Sequence, residues 1–133
     1  MEFDCRRSKI LEITMFVYQQ STGIMTLNGE PFATGYSGKG HGLNNPDRDH
    51  VSNVGPIPRG EYRIGEAFHH PSKGPVCMRL IPKGHNALGR TGFLIHGDNS
   101  KLDNSASEGC IILARMFRQQ IANSKVTQLI VIA

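Results

Sequence analysis

Apolar residues fall along this chain in short runs broken by turn chemistry, the pattern of a mainly β domain. Met15–Tyr18 and Ile24–Leu27 are apolar-rich and β-prone, and Gln19-Gln20-Ser21-Thr22-Gly23 separates them. Asn28-Gly29 is a tight-turn dipeptide leading into Pro31–Thr34, so this part of the chain reads as a small meander. The polar stretch 35–55 shows no period, and loops of that length inside a compact domain are usually functional or mobile. Two prolines, Pro56 and Pro58, then interrupt the chain before Glu61–Ile64, which alternates as a strand. Val76–Ile81 and Gly92–His96 predict further strands, with a loop at 83–89 between them. Leu113, Met116, Phe117 and Ile121 stand at helical spacing and predict one helix with these residues as its core face. Val126–Ala133 ends the chain as an apolar strand whose unbroken Leu129-Ile130-Val131-Ile132 run suits the centre of a sheet.

Length and composition narrow the class. With 133 residues, 38% of them hydrophobic, the chain forms one domain whose core needs no metal or disulfide staple. No apolar run approaches the ~20 residues of a bilayer-spanning helix, which argues against membrane insertion. Lys and Arg outnumber Asp and Glu 15 to 11. That surplus is scattered rather than clustered with aromatics, which argues against a nucleic-acid partner. Three cysteines, Cys5, Cys77 and Cys110, leave at least one thiol unpaired and match no zinc spacing. Residues 1–14 read as an extension ahead of a domain over 15–133, and they carry neither the apolar stretch nor the cleavage site of a secretory signal.

The candidate chemistry lies in Phe93–Leu113. His96 ends an apolar strand, and Cys110 follows fourteen positions later within Ser107-Glu108-Gly109-Cys110. An intervening loop of that length can fold an imidazole onto a thiol, and an imidazole activates a thiol that is a poor nucleophile at neutral pH. Gly109 permits a tight turn that exposes backbone N–H groups, the donors an acyl-transfer oxyanion needs. Free Cys is also among the most buried residue types, so spacing alone is a weak signal.

A wider set of motifs strengthens it. Ile95-His96-Gly97 followed by Ser107-x-Gly-Cys-Ile resembles the signature of YkuD-type L,D-transpeptidases, cysteine enzymes of peptidoglycan metabolism, and Pro58-Arg59-Gly60-Glu61-Tyr62-Arg63-Ile64 resembles a strand motif of that family. Together with YQQSTG, GYSGKGHGLNNP, IHGDN and SEGCI, the chain looks most like the compact L,D-transpeptidase-like antibacterial effectors of type VI secretion. The resemblance implies a YkuD-type β-sandwich with one short helix after the catalytic Cys. It implies Cys110 as nucleophile on a stem-peptide carbonyl and His96 as base, then acid. It places the oxyanion on the Gly109 and Cys110 N–H groups, has Ser107 brace the turn, and has either the Gly97 carbonyl or Asp98 orient the His96 ring. It further implies no cofactor, a peptidoglycan stem as substrate, a cognate immunity protein, and action in the target-cell periplasm after export without a signal peptide.

Two departures stand out. Glu108 replaces the family's second His, and a carboxylate aimed at Cys110 would raise its pKa, so Glu108 is expected to face outward or meet a cation. Its presence also admits a peptidoglycan-binding module that has lost turnover. Ile112 stands where an Arg commonly follows Cys-Ile, leaving Arg59, Arg63 and Arg90 as candidates to bind a substrate carboxylate. Tyr36 and Asn45, in the long polar stretch, are candidate substrate contacts along a cleft wall. His69, His70, Cys77 and His85 lack ligand spacing for a metal.

Overall fold

A computed structural model describes residues 14–133; Cys5 and nearly all of the expected extension lie outside them. Ten short strands and one helix make the fold of the described residues. The opening meander forms β1 (Phe16–Gln19), β2 (Ile24–Leu27) and β3 (Glu30–Thr34), with Asn28 and Gly29 at positive φ in the turn. The stretch expected to be loop carries a two-residue strand β4 (Tyr36–Ser37) and two 3₁₀ turns at Gly40–Gly42 and Pro46–Arg48. Then come β5 (Gly60–Ile64), β6 (Phe68–His70), β7 (Gly74–Lys83), β8 (Leu94–His96) and β9 (Ile111–Ile112). The helix α1 (Arg115–Ser124) and the final strand β10 (Gln128–Ile132) complete the chain.

Pairing runs β3-β2-β1-β10-β5-β7-β8-β9-β4, with β6 beside β7. The two ends of that path, β3 and β4, are joined by Gly35 alone, so the sheet must curl until its edges meet. Gly35 makes the junction possible: a Cβ there would lie 1.8 Å from the Ile112 carbonyl oxygen. Phe16, Tyr18, Met25, Tyr62, Ile95, Ile111, Leu113, Ile121 and Leu129 fill the enclosed core.

Two details differ from the sequence pattern. β10 is central, parallel to β1 and antiparallel to β5, yet only Leu129 and Val131 are buried while Ile132 faces out. On α1 the inward face is Phe117, Arg118 and Ile121, whereas Met116 is 60% exposed. Leu113 precedes the helix, so the periodicity of the apolar set begins outside the helical turn that would have turned Met116 inward.

Candidate active site

β8 and β9 are parallel neighbours, with His96 beside Ile112. Side chains alternate along an extended chain, so Cys110, two residues ahead of Ile112, falls on the same face as His96. Both line one cleft of about 480 Å³, together with His70, Lys73, Asp98 and Glu108. The fourteen-residue separation is thus closed by strand pairing, and the intervening chain returns from the C-terminal end of β8 to the N-terminal end of β9, as parallel pairing requires.

His96 is buried, and its Nδ1 lies 2.8 Å from the Gly97 carbonyl oxygen. A carbonyl can only accept, so Nδ1 carries the proton and Nε2 keeps the lone pair. Asp98 does not compete for that role, because its Oδ1 accepts from the Tyr36 hydroxyl at 2.8 Å and from the Asn99 N–H at 2.9 Å. Between the two ring-orienting groups left open by the motif, the geometry selects the Gly97 carbonyl. Burial holds the His96 pKa below its ordinary value; the Gly97 bond opposes this, while Lys73, Arg118 and His70 add to it.

Burial pushes the Cys110 thiol up, against a 3.3 Å hydrogen bond donated by the Leu94 N–H to Sγ and the nearby Lys73 charge. Both shifts favour the uncharged forms at neutral pH, so the cleft holds a neutral thiol and a neutral imidazole. Glu108 adds a small upward push, but its carboxylate turns to Lys39, with Oε2 3.1 Å from Nζ.

The turn carrying Cys110 is held from several sides. Ser107 Oγ accepts from the N–H groups of Gly38 (2.8 Å) and Gly109 (3.1 Å) and donates to the Cys110 carbonyl (2.6 Å). Gly109 has φ 134°, and a Cβ there would lie 2.5 Å from Arg90 Nη2, so the position demands glycine. The Gly109 N–H is thereby committed to Ser107, which corrects its expected part in an oxyanion hole. The Cys110 N–H remains without a partner among the described residues.

The Tlde1 domain model matches residues 32–133. The chain belongs to the Tlde1 domain family. Among solved structures, this Tlde1 domain is similar to Mycobacterium tuberculosis L,D-transpeptidase 1, with a TM-score of 0.53 and 16% identity over 91% of this chain and 62% of the other. It is also similar to the carbamoyl enzyme of Ldtfm with avibactam, at TM-score 0.56 and 15% identity over 92% of this chain and 49% of that one. A second L,D-transpeptidase, from Mycobacterium tuberculosis H37Rv, matches at TM-score 0.50 and 16% identity over 90% and 57%. The L,D-transpeptidase fold is therefore shared, while this chain spans between 49% and 62% of the length of those structures. No curated protein matches by sequence.

Five residues expected to touch substrate do not line the cleft that His96 and Cys110 share in this Tlde1 domain. Tyr36 is buried, and its hydroxyl ties Asp98 to the Ala106 N–H (3.1 Å) as a strut between the loops after His96 and before Cys110. Burial, then the Asp98 hydrogen bond, pushes its pKa up to about 12. Asn45 caps the 3₁₀ turn at Pro46–Arg48, accepting from the Asp47 N–H. Arg59 pairs with Asp49 at 3.0 Å, and Arg63 stands exposed on β5 opposite Gln128. Arg90 is buried and donates to the carbonyls of Asp49, Gly55, Pro56 and Glu108, so it anchors the turn that carries Cys110. The sequence does not distinguish an arginine satisfied by carbonyls from one facing a cleft.

Other residues emerge only from the fold. Ser37 is buried, accepts from the Ile57 N–H and reaches the Gly109 carbonyl, and Arg118 packs against Gly97. His70 Nδ1 accepts from the Ser72 and Lys73 N–H groups, each at 3.1 Å, and Cys77 is a core residue of β7. Among the described residues no three His, Cys, Asp or Glu side chains converge as a metal site would require.

Proposed function

We propose that this Tlde1 domain is a cysteine acyl-transfer enzyme acting on peptidoglycan tetrapeptide stems, as an L,D-carboxypeptidase or, with a D-amino acid as acceptor, by exchange. The observation that carries the reading is a thiol and an oriented imidazole on one face of paired strands, lining one cleft.

Cys110 Sγ attacks the carbonyl before the terminal D-alanine while its proton passes to His96 Nε2. The Cys110 N–H stabilises the oxyanion, and the Leu94 N–H supports charge on sulfur as the bond forms. Collapse breaks the C–N bond, and the imidazolium returns its proton to the departing amine. Water, deprotonated by His96, then opens the thioester and the proton returns to sulfur; a D-amino acid amine in place of water gives exchange. Glu108 favours turnover over a binding module, because its charge is met by Lys39 outside the reacting pair.

Loss of stems competent for cross-linking would weaken a wall. We further propose that the chain acts as an antibacterial effector, delivered by the type VI route to a target periplasm and neutralised in the producer by an immunity protein.

Muropeptides incubated with the wild-type chain should lose terminal D-alanine by mass spectrometry, and Cys110→Ala should lose this activity. Equal activity of the two proteins rejects the assignment.

A further inference from the structure

A second cavity, of about 380 Å³, adjoins the cleft of His96 and Cys110 at Gly97 and Asp98. Lys73, Gly97 and Asp98 line both cavities, and Arg115 and Arg118 join Lys73 in the second. The three cations come from separate places. Lys73 tips the turn between β6 and β7, while Arg115 and Arg118 occupy the first turn of α1. Arg118 donates from Nε to the Leu113 carbonyl and from Nη1 to those of Pro75 and Val76. Its Nη2 is left against Gly97, 2.7 Å from where a Cβ would stand.

None of these three cations is in an ion pair among the described residues. Asp98 is the only acidic residue of the lining, and its Oδ1 already accepts from Tyr36 and Asn99. The wall also includes Ala114, at the start of α1, where no side chain caps the helix and no acid occupies the first turn. Of the charged neighbours, Lys73 acts most strongly on both His96 and Cys110, so it stands close to the chemistry.

We propose that this cavity seats the free carboxylate of the leaving residue, with Lys73, Arg115 and Arg118 as its cationic partners. The inference rests on the acyl-transfer reading and adds a reason for cleavage to stop at the last residue of the stem. The general acid must face the leaving amine, and a C-terminal residue bears its carboxylate on the same carbon that carries that nitrogen. The carboxylate therefore falls beside His96 and Gly97, where the cations gather. An amide or an extended chain would leave them unmatched and bring a desolvated neutral group in their place.

The test uses the full chain and two synthetic tetrapeptide stems, one ending in free D-alanine and one in D-alanine amide. Binding is read by calorimetry at low salt on Cys110→Ala, which cannot turn the peptides over. The free acid should bind at least about tenfold more tightly than the amide, given cations that are partly exposed. Adding Lys73→Gln and Arg115→Gln, both at exposed positions, should erase that preference while leaving the melting temperature in place. Equal affinity for acid and amide, binding of neither, or a preference that survives both substitutions overturns the proposal. Turnover by the wild-type chain judges the parent reading separately. Equal release from acid and amide removes the carboxylate seat and keeps acyl transfer. Absence of release from either, with acid-selective binding that depends on Lys73 and Arg115, keeps the seat and removes acyl transfer.

Discussion

His96 and Cys110 shift in opposite directions for one reason: burial disfavours the charged form of each. The consequences are separable by pH. Because its native pKa lies below the unfolded value, His96 contributes stability that is fully present above about pH 6.5 and is lost as pH falls through the native pKa. The same protonation removes the base, so the acid limb of kcat/KM should fall below the ordinary imidazole value. Lys73→Gln, by removing a charge that lowers this pKa, should move that limb to higher pH. An unmoved limb would show that Lys73 does not act on His96. Alkylation of Cys110 should accelerate only above the ordinary thiol range of about 8.5, as for a neutral resting thiol. A fast plateau below pH 7 would reveal a preformed ion pair instead. These two residues were legible in the sequence because the chain writes them as strand-end His and Gly-Cys. The positions of Arg90 and Tyr36 are not legible in this way, because a linear pattern does not reveal whether a polar group faces a cleft or is taken up by groups of the protein itself.

At the scale of elements, the turn that carries Cys110 is a small construction with buried polar groups at its centre. Ser107→Ala leaves the N–H groups of Gly38 and Gly109 without their acceptor, and should cost about 2–3 kcal/mol in denaturant melts while slowing D-alanine release. Unchanged stability would show that water replaces the hydroxyl. On α1, Ile121→Ala should cost about 2–5 kcal/mol, whereas Met116→Gln should stay within about 0.5 kcal/mol, since Ile121 is 1% and Met116 60% exposed. The helix and the longer strands were readable from periodicity. β4, β6 and β9 were not, because runs of two or three residues carry too little pattern, and two of the three exist only through distant partners. The Arg115–Arg118 spacing is the one local signal that could have pointed to the second cavity; Lys73 joins it through the β6–β7 turn.

For the whole molecule, the decisive feature is closure of the strand path through Gly35, which brings the meander against the strand that follows Cys110. Gly35→Ala forces a Cβ into the Ile112 carbonyl and should destabilise the fold by at least about 3 kcal/mol; a variant as stable as wild type would contradict this closure. Closure also sets Asp49 among Gln20, Arg59 and Arg90. Burial pushes its carboxyl up, but hydrogen bonds from Gln20 and Arg59 outweigh that and hold its pKa below the ordinary value. Its contribution is present above about pH 4 and lost as pH falls through the lowered value, so Asp49→Asn should flatten the acid limb of stability. The mainly β character and the helix at Arg115–Ser124 are visible in the pattern, while the meeting of the two sheet ends depends on long-range pairing that no local run encodes. The most direct measurement is the intact mass of the protein during incubation with a tetrapeptide stem, followed by mapping of the modified peptide. The expected result is an adduct of the stem less D-alanine on Cys110, formed more slowly in His96→Gln and absent in Cys110→Ala; D-alanine release that persists in Cys110→Ala with no adduct at that residue would contradict it.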